Sequence, residues 1–129
     1  MDEPRTRQLE GIHVLVVEDD DSSRGVLRRA LELWGALVSV ATGDDALRTA
    51  LKADVIVVDL GTAETAGREF LFHLQRLHSR PNRPVPIIAL APLGMAIPAT
   101  PRAAGVQLYL VKPAEPNELR CAVWQLARE

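Results

Sequence analysis

Apolar positions along the chain follow two alternating rhythms. Residues 12–17 form an apolar run rich in β-branched side chains, the pattern of a strand covered on both faces. His13 falls within it and reads as a structural residue. From Ser22 the period lengthens. Leu27, Ala30, Leu31 and Trp34 recur at i, i+3, i+4 and i+7, the buried stripe of a helix. Gly35 stands where a left-handed helix cap falls. Residues 37–41 read as a second strand. Thr42-Gly43-Asp44-Asp45 has the form of a capping box with Asp in its last place, opening a short helix that reaches about residue 52.

The third strand is predicted over 54–60, apolar within, with acids at Asp54 and Asp59. Phe70, Leu71, Leu74 and Leu77 mark a helix ending near His78. Three prolines over 80–86 make a connector. Residues 87–90 and 108–111 read as the fourth and fifth strands. The place between them calls for a helix, but Pro98 and Pro101 both remove backbone donors. The spacing therefore predicts no regular helix longer than about six residues over 93–105. Pro116 suits the first position of a last helix, with Leu119, Val123 and Leu126 inward.

Strands alternating with helices imply parallel pairing and right-handed crossovers. The predicted fold is α/β, a flavodoxin-like (βα)5 three-layer sandwich. Its parallel sheet has the order 2-1-3-4-5, and its fourth helix is short or irregular. One domain is expected over 11–129, preceded by a flexible polar arm over 1–10.

Composition narrows the class. The chain has 129 residues, 47% hydrophobic and 25% charged, which excludes an intrinsically disordered chain. No apolar run approaches the ~20 residues of a membrane span. The charged start, Met1-Asp2-Glu3-Pro4-Arg5, does not read as a signal peptide. Cys121 is the single cysteine, so a disulfide framework and a Cys-based zinc site are both excluded. These features fit a reducing cytoplasm. The net charge of −2 argues against direct nucleic-acid binding. Arg24, Arg28 and Arg29 share one predicted helix and read as its solvated face.

In sheets of this kind, ligands bind outside the carboxyl ends of the strands. The residues predicted there are Glu18 and Asp19 after the first strand, Asp59 at the third, Ala91 at the fourth and Lys112 at the fifth. Lys112 is one of only two lysines in the chain. Neighbouring strands lie about 5 Å apart, so three carboxylates on adjacent strands repel unless a cation intervenes. A hard divalent cation such as Mg²⁺ is the simplest remedy. Lys112 starts roughly 10 Å from Asp59 at the backbone, and an extended lysine closes most of that gap. The set suits Mg²⁺-assisted phosphoryl transfer with Asp59 as nucleophile. Taken singly, each acid also reads as a helix cap or a surface group, and Asp20 or Asp21 is expected to cap the first helix.

These segments resemble the receiver domain of bacterial two-component response regulators. The resemblance covers about 11–128. It rests on Val14-Leu15-Val16-Val17-Glu18-Asp19-Asp20, on Asp54-Val55-Ile56-Val57-Val58-Asp59-Leu60, on Gly67, and on Tyr109-Leu110-Val111-Lys112-Pro113 with Pro116 and Leu119. It implies that Asp59 accepts a phosphoryl group from a phosphohistidine on a histidine kinase or phosphotransfer protein. Asp19, Asp59 and the carbonyl of Gly61 would hold Mg²⁺, with Glu18 acting through metal-bound water. Lys112 would contact the phosphoryl oxygens, across a Lys112–Pro113 bond that is commonly cis. Tyr109 falls at the aromatic switch position. Such a domain is a signalling module with slow autodephosphorylation, not a turnover enzyme. A homodimer and an unidentified output partner are both compatible with it.

Three positions depart from the family pattern. Ala91 replaces the usual Ser or Thr, Ala63 replaces a proline, and the fourth helix is interrupted by prolines. The leading reading is a phosphoacceptor with atypical switching. The alternative is a receiver-like interaction module that does not switch. A dehalogenase-type phosphatase is disfavoured, because Gly61 stands where that chemistry needs a second Asp. Flavin-phosphate binding is disfavoured by the four acids Glu18-Asp19-Asp20-Asp21, and dinucleotide binding by the lack of Gly-x-Gly-x-x-Gly.

Overall fold

The computed structural model describes residues 8–17, 21–41, 52–59, 85–94 and 106–128, with backbone alone for 21–24 and 41. Five strands make one parallel sheet: β1 (His13–Val17), β2 (Leu37–Ala41), β3 (Val55–Asp59), β4 (Ile87–Ala91) and β5 (Leu108–Val111). Their order is β2-β1-β3-β4-β5, as the alternation of the sequence predicts, and every pairing is parallel. Two helices are described, α1 (Asp21–Leu33) and α2 (Pro116–Arg128). Neither is long and apolar enough to cross a membrane.

The three central strands explain the continuous apolar runs. Val14, Leu15, Val16, Val55, Ile56, Val57 and Val58 are all 0% exposed, because both faces of the sheet are covered. Alternate residues serve opposite layers. Leu15, Ile56, Val58 and Ala89 form one core with Val106. Val14, Val16, Val55, Val57, Ile88 and Leu90 form the other, against Leu31 of α1 and Leu119, Ala122 and Val123 of α2. Both described helices therefore cover the same face.

The helix ends follow local chemistry. Gly35, at φ +95°, closes α1. Its N–H donates to Glu32 O at 3.0 Å and the Ala36 N–H donates to Leu31 O at 3.3 Å, the paired bonds of a Schellman motif. Pro116 opens α2 as expected. Glu115 accepts the first helical bond from Leu119 N–H at 3.1 Å, and Glu118 Oε1 accepts from Glu115 N–H at 3.3 Å. That is one half of a capping box. Helix α1 begins at Asp21, so this acid lies inside the helix; the alternative cap, Asp20, lies outside the described residues.

The packed structure starts earlier than position 11. Leu9 is fully buried, its N–H donates to Trp34 O at 2.8 Å, and Ile12 N–H donates back to Leu9 O at 3.0 Å. Within the arm expected over 1–10, residues 8–10 form a turn, and Leu9 joins the core cluster that holds Leu31 of α1. Residues 1–7 lie outside the described residues. So do most of the stretches where the second, third and fourth helices are predicted. What is described of 93–105 is a turn at Leu93 and Gly94.

Candidate functional site

Parallel strands of matched register end together, and the carboxyl edge gathers their last residues. Val17 pairs with Val58, Asp59 with Leu90, and Ala91 with Val111. Asp59 is the last residue of β3, held there by Ile56, Val57 and Val58, each buried from both sides. Its side chain is only 5% exposed.

Lys112 follows β5 directly. Its N–H donates to Ala91 O at 2.8 Å, which extends the β4–β5 ladder one residue beyond the strand and fixes the lysine backbone at the edge. The Lys112–Pro113 peptide is cis. From this anchor the side chain crosses β4, and Nζ donates to Asp59 Oδ1 at 2.6 Å. Sequence spacing leaves part of that gap open; the structure closes it entirely. An ammonium against a carboxylate is a charge-assisted hydrogen bond, short and roughly twice as strong as a neutral one. The lysine side chain remains 32% exposed, so the pair is reachable from solvent on one side.

Ala91 ends β4 with 0% exposure. Its side chain is a methyl, so the edge between Asp59 and Lys112 carries no hydroxyl at this position. Tyr109 pairs with Ala89 and packs, half-buried, against the core of Leu15, Ile56 and Val58. Glu18, Asp19 and Gly61, the other expected site residues, lie outside the described residues. The last described residue of β1, Val17, pairs with Val58, the neighbour of Asp59. Among the described residues no three His, Cys, Asp or Glu side chains gather as a metal site.

A second polar group, at the opposite edge, is invisible to sequence pattern. His13 bonds Ser39 on β2 and the Lys52 carbonyl before β3. The only signal was a polar residue in each of two apolar strands, and their contact appears only once the β1–β2 register is known.

Comparison with known proteins gives one consistent family. The model of the response regulator receiver domain matches residues 14–124. The cyclic di-GMP phosphodiesterase response regulator RpfG of Xanthomonas campestris is 33% identical over 116 residues, covering 85% of this chain and 30% of that protein. The probable transcriptional regulator ycf27 of Cyanidium caldarium is 29% identical, covering 90% of this chain and 46% of that protein. The chain thus spans less than half the length of these curated relatives. Among solved structures, the Francisella response regulator 1452 receiver domain has a TM-score of 0.75 at 28% identity, covering 92% of this chain and 98% of that one. The chemotaxis response regulator CheY4 of Vibrio cholerae has a TM-score of 0.68 at 29% identity, covering 89% and 98%.

Proposed function

This chain belongs to the response regulator receiver domain family of two-component systems, and we propose that it is a phosphoacceptor whose acceptor is Asp59. The observation that carries this reading is the 2.6 Å contact between Lys112 Nζ and Asp59 Oδ1, at the strand edge where the fold places ligands. A carboxylate oxygen of Asp59 attacks phosphorus of a phosphohistidine on a histidine kinase or phosphotransfer protein. The P–N bond breaks, the imidazole leaves, and an aspartyl phosphate forms. Lys112 offers its ammonium to the incoming phosphoryl oxygens, already positioned before the donor arrives.

Glu18, Asp19, Asp59 and the Gly61 carbonyl are the residues proposed to hold Mg²⁺. These are hard oxygen donors of the kind Mg²⁺ takes, and Asp59 ends β3 beside the Val17–Val58 pair that closes the described part of β1. When bound, the ion supplies charge neutralisation among the carboxylates and the phosphoryl oxygens. The direct test is acetyl phosphate with Mg²⁺ followed by intact mass. One phosphoryl group per chain is expected, and none in Asp59→Asn. Absence of the adduct in the wild-type chain, or its persistence in Asp59→Asn, overturns the assignment.

A second reading is favoured by one observation. Ala91 is fully buried and has no hydroxyl, so at this position β4 offers no group that bonds the phosphoryl oxygen in one state and not in another. A ligand shifts an equilibrium only by its differential affinity. On this reading, phosphorylation proceeds at Asp59 but moves Tyr109 little, and the domain acts chiefly as an interaction module.

A further inference from the structure

Away from Asp59, at the amino edge of the sheet, β1 and β2 bring a serine hydroxyl against an imidazole. His13 pairs with Leu37 and Leu15 pairs with Ser39. Alternation therefore puts His13, Leu37 and Ser39 on one face. His13 Nε2 lies 2.7 Å from Ser39 Oγ, and Nδ1 lies 3.3 Å from the main-chain carbonyl oxygen of Lys52. A carbonyl oxygen can only accept, so Nδ1 carries the proton. In the neutral ring Nε2 then turns its lone pair to Ser39, and the hydroxyl donates to it. The histidine is also fixed through its backbone: His13 N–H donates to Asp54 Oδ2 at 2.8 Å, and Asp54 N–H donates to His13 O at 2.8 Å.

A hydroxyl, a base in hydrogen-bond reach and a third group orienting that base make up an activated nucleophile. The corner is open: Leu37 is 65% exposed and Lys52 is exposed, while Ser39 and His13 are half-buried. Leu37 offers an apolar contact beside the hydroxyl.

We propose that Ser39 is a base-activated acyl acceptor, a modification site for activated carboxylic esters that is separate from Asp59. Ser39 Oγ attacks the ester carbonyl carbon while its proton passes to His13 Nε2. The tetrahedral adduct collapses, the C–O bond to the alcohol breaks, and the leaving oxygen takes the proton from His13. The products are O-acyl-Ser39 and free alcohol, with no change of oxidation state.

The test treats the full chain with 4-nitrophenyl acetate and maps acetyl groups by peptide mass. Hydroxylamine distinguishes the labile serine ester from lysine amides. In the wild-type chain Ser39 should be acetylated about 100-fold faster than Ser22 or Ser23, the scale of general-base assistance. This internal comparison needs no variant and survives any loss of folding in the mutants. Ser39→Ala should remove the ester, and His13→Gln, if folded by circular dichroism, should slow it about 100-fold. Acetylation confined to Lys52 or Cys121, equal rates at Ser39 and Ser22, or an unchanged rate in folded His13→Gln would each overturn the proposal.

Discussion

Lys112 Nζ donates to Asp59 Oδ1 at 2.6 Å, joining side chains that are 53 positions apart in the chain. Asp59 ends β3 and Lys112 follows β5, two strands that do not touch, with β4 between them. The contact exists because β5 carries its ladder one residue past its end, from Lys112 N–H to Ala91 O at 2.8 Å.

Replacing this lysine should separate chemistry from stability. Lys112→Met removes the donor already placed on Asp59. Loss of one preorganised donor to developing charge costs roughly 100- to 1,000-fold in rate. Phosphorylation by acetyl phosphate, followed by intact mass over time, should slow by about that factor. Asp59, nearly buried, loses the ammonium of Lys112, and urea unfolding without Mg²⁺ should show a loss of about 1–2 kcal/mol. That is the low end of the range for charged hydrogen bonds, because the lysine is a third exposed. Equal phosphorylation rates in the two proteins would remove Lys112 from the chemistry.

The metal is expected to bind weakly, since open carboxylate sites leave much of the shell to water. Titration with Mg²⁺ should shift the backbone amide resonances of Asp59 and its neighbours. Asp19→Asn should abolish the response. An unaltered titration in that variant would place the ion elsewhere.

Ala91 should govern how far phosphorylation reaches. Beryllofluoride with Mg²⁺, a phosphoryl mimic, should give large amide shifts beside Asp59 and small ones at Tyr109. A hydrogen bond to a charged acceptor is worth roughly 1.5–3 kcal/mol, a bias of roughly 10- to 150-fold between two states. Ala91→Thr should enlarge the response at Tyr109. The site is fully buried, so the added atoms should also cost about 1–3 kcal/mol in stability; Ala91→Ser gives the smaller perturbation. A full-sized shift at Tyr109 in the wild-type chain contradicts this account.

Gly35 should tolerate no side chain. Its φ is +95°, and a Cβ there would stand 3.1 Å from both Cα and N of Glu10. Left-handed backbone alone costs an L-residue roughly 1–2 kcal/mol. Gly35→Ala should therefore destabilise by about 2 kcal/mol or more in chemical denaturation. A change below ~0.5 kcal/mol would show that the turn over 8–11 yields easily.

Local chemistry determined much of this protein by itself. The apolar runs at 14–17, 55–58 and 87–90 could only be strands covered on both faces, and the stripe from Leu27 to Trp34 only a helix with one buried side. Gly35 and Pro116 marked helix ends, because φ and the missing N–H are properties of single residues. Alternation then fixed parallel pairing and the strand order, and the order fixed the edge at which Asp59, Ala91 and Lys112 end. Those inferences need only nearest neighbours and the pleat. Tertiary structure decided the rest. That Lys112 reaches Asp59 depends on one ladder bond past β5, which no spacing in the sequence specifies. That Leu9 is buried depends on its packing with Leu31 and Trp34 across the chain, so a single apolar residue among polar ones gave no period to read. That His13 meets Ser39 depends on the β1–β2 register, where a slip of one residue would send the serine to the opposite face.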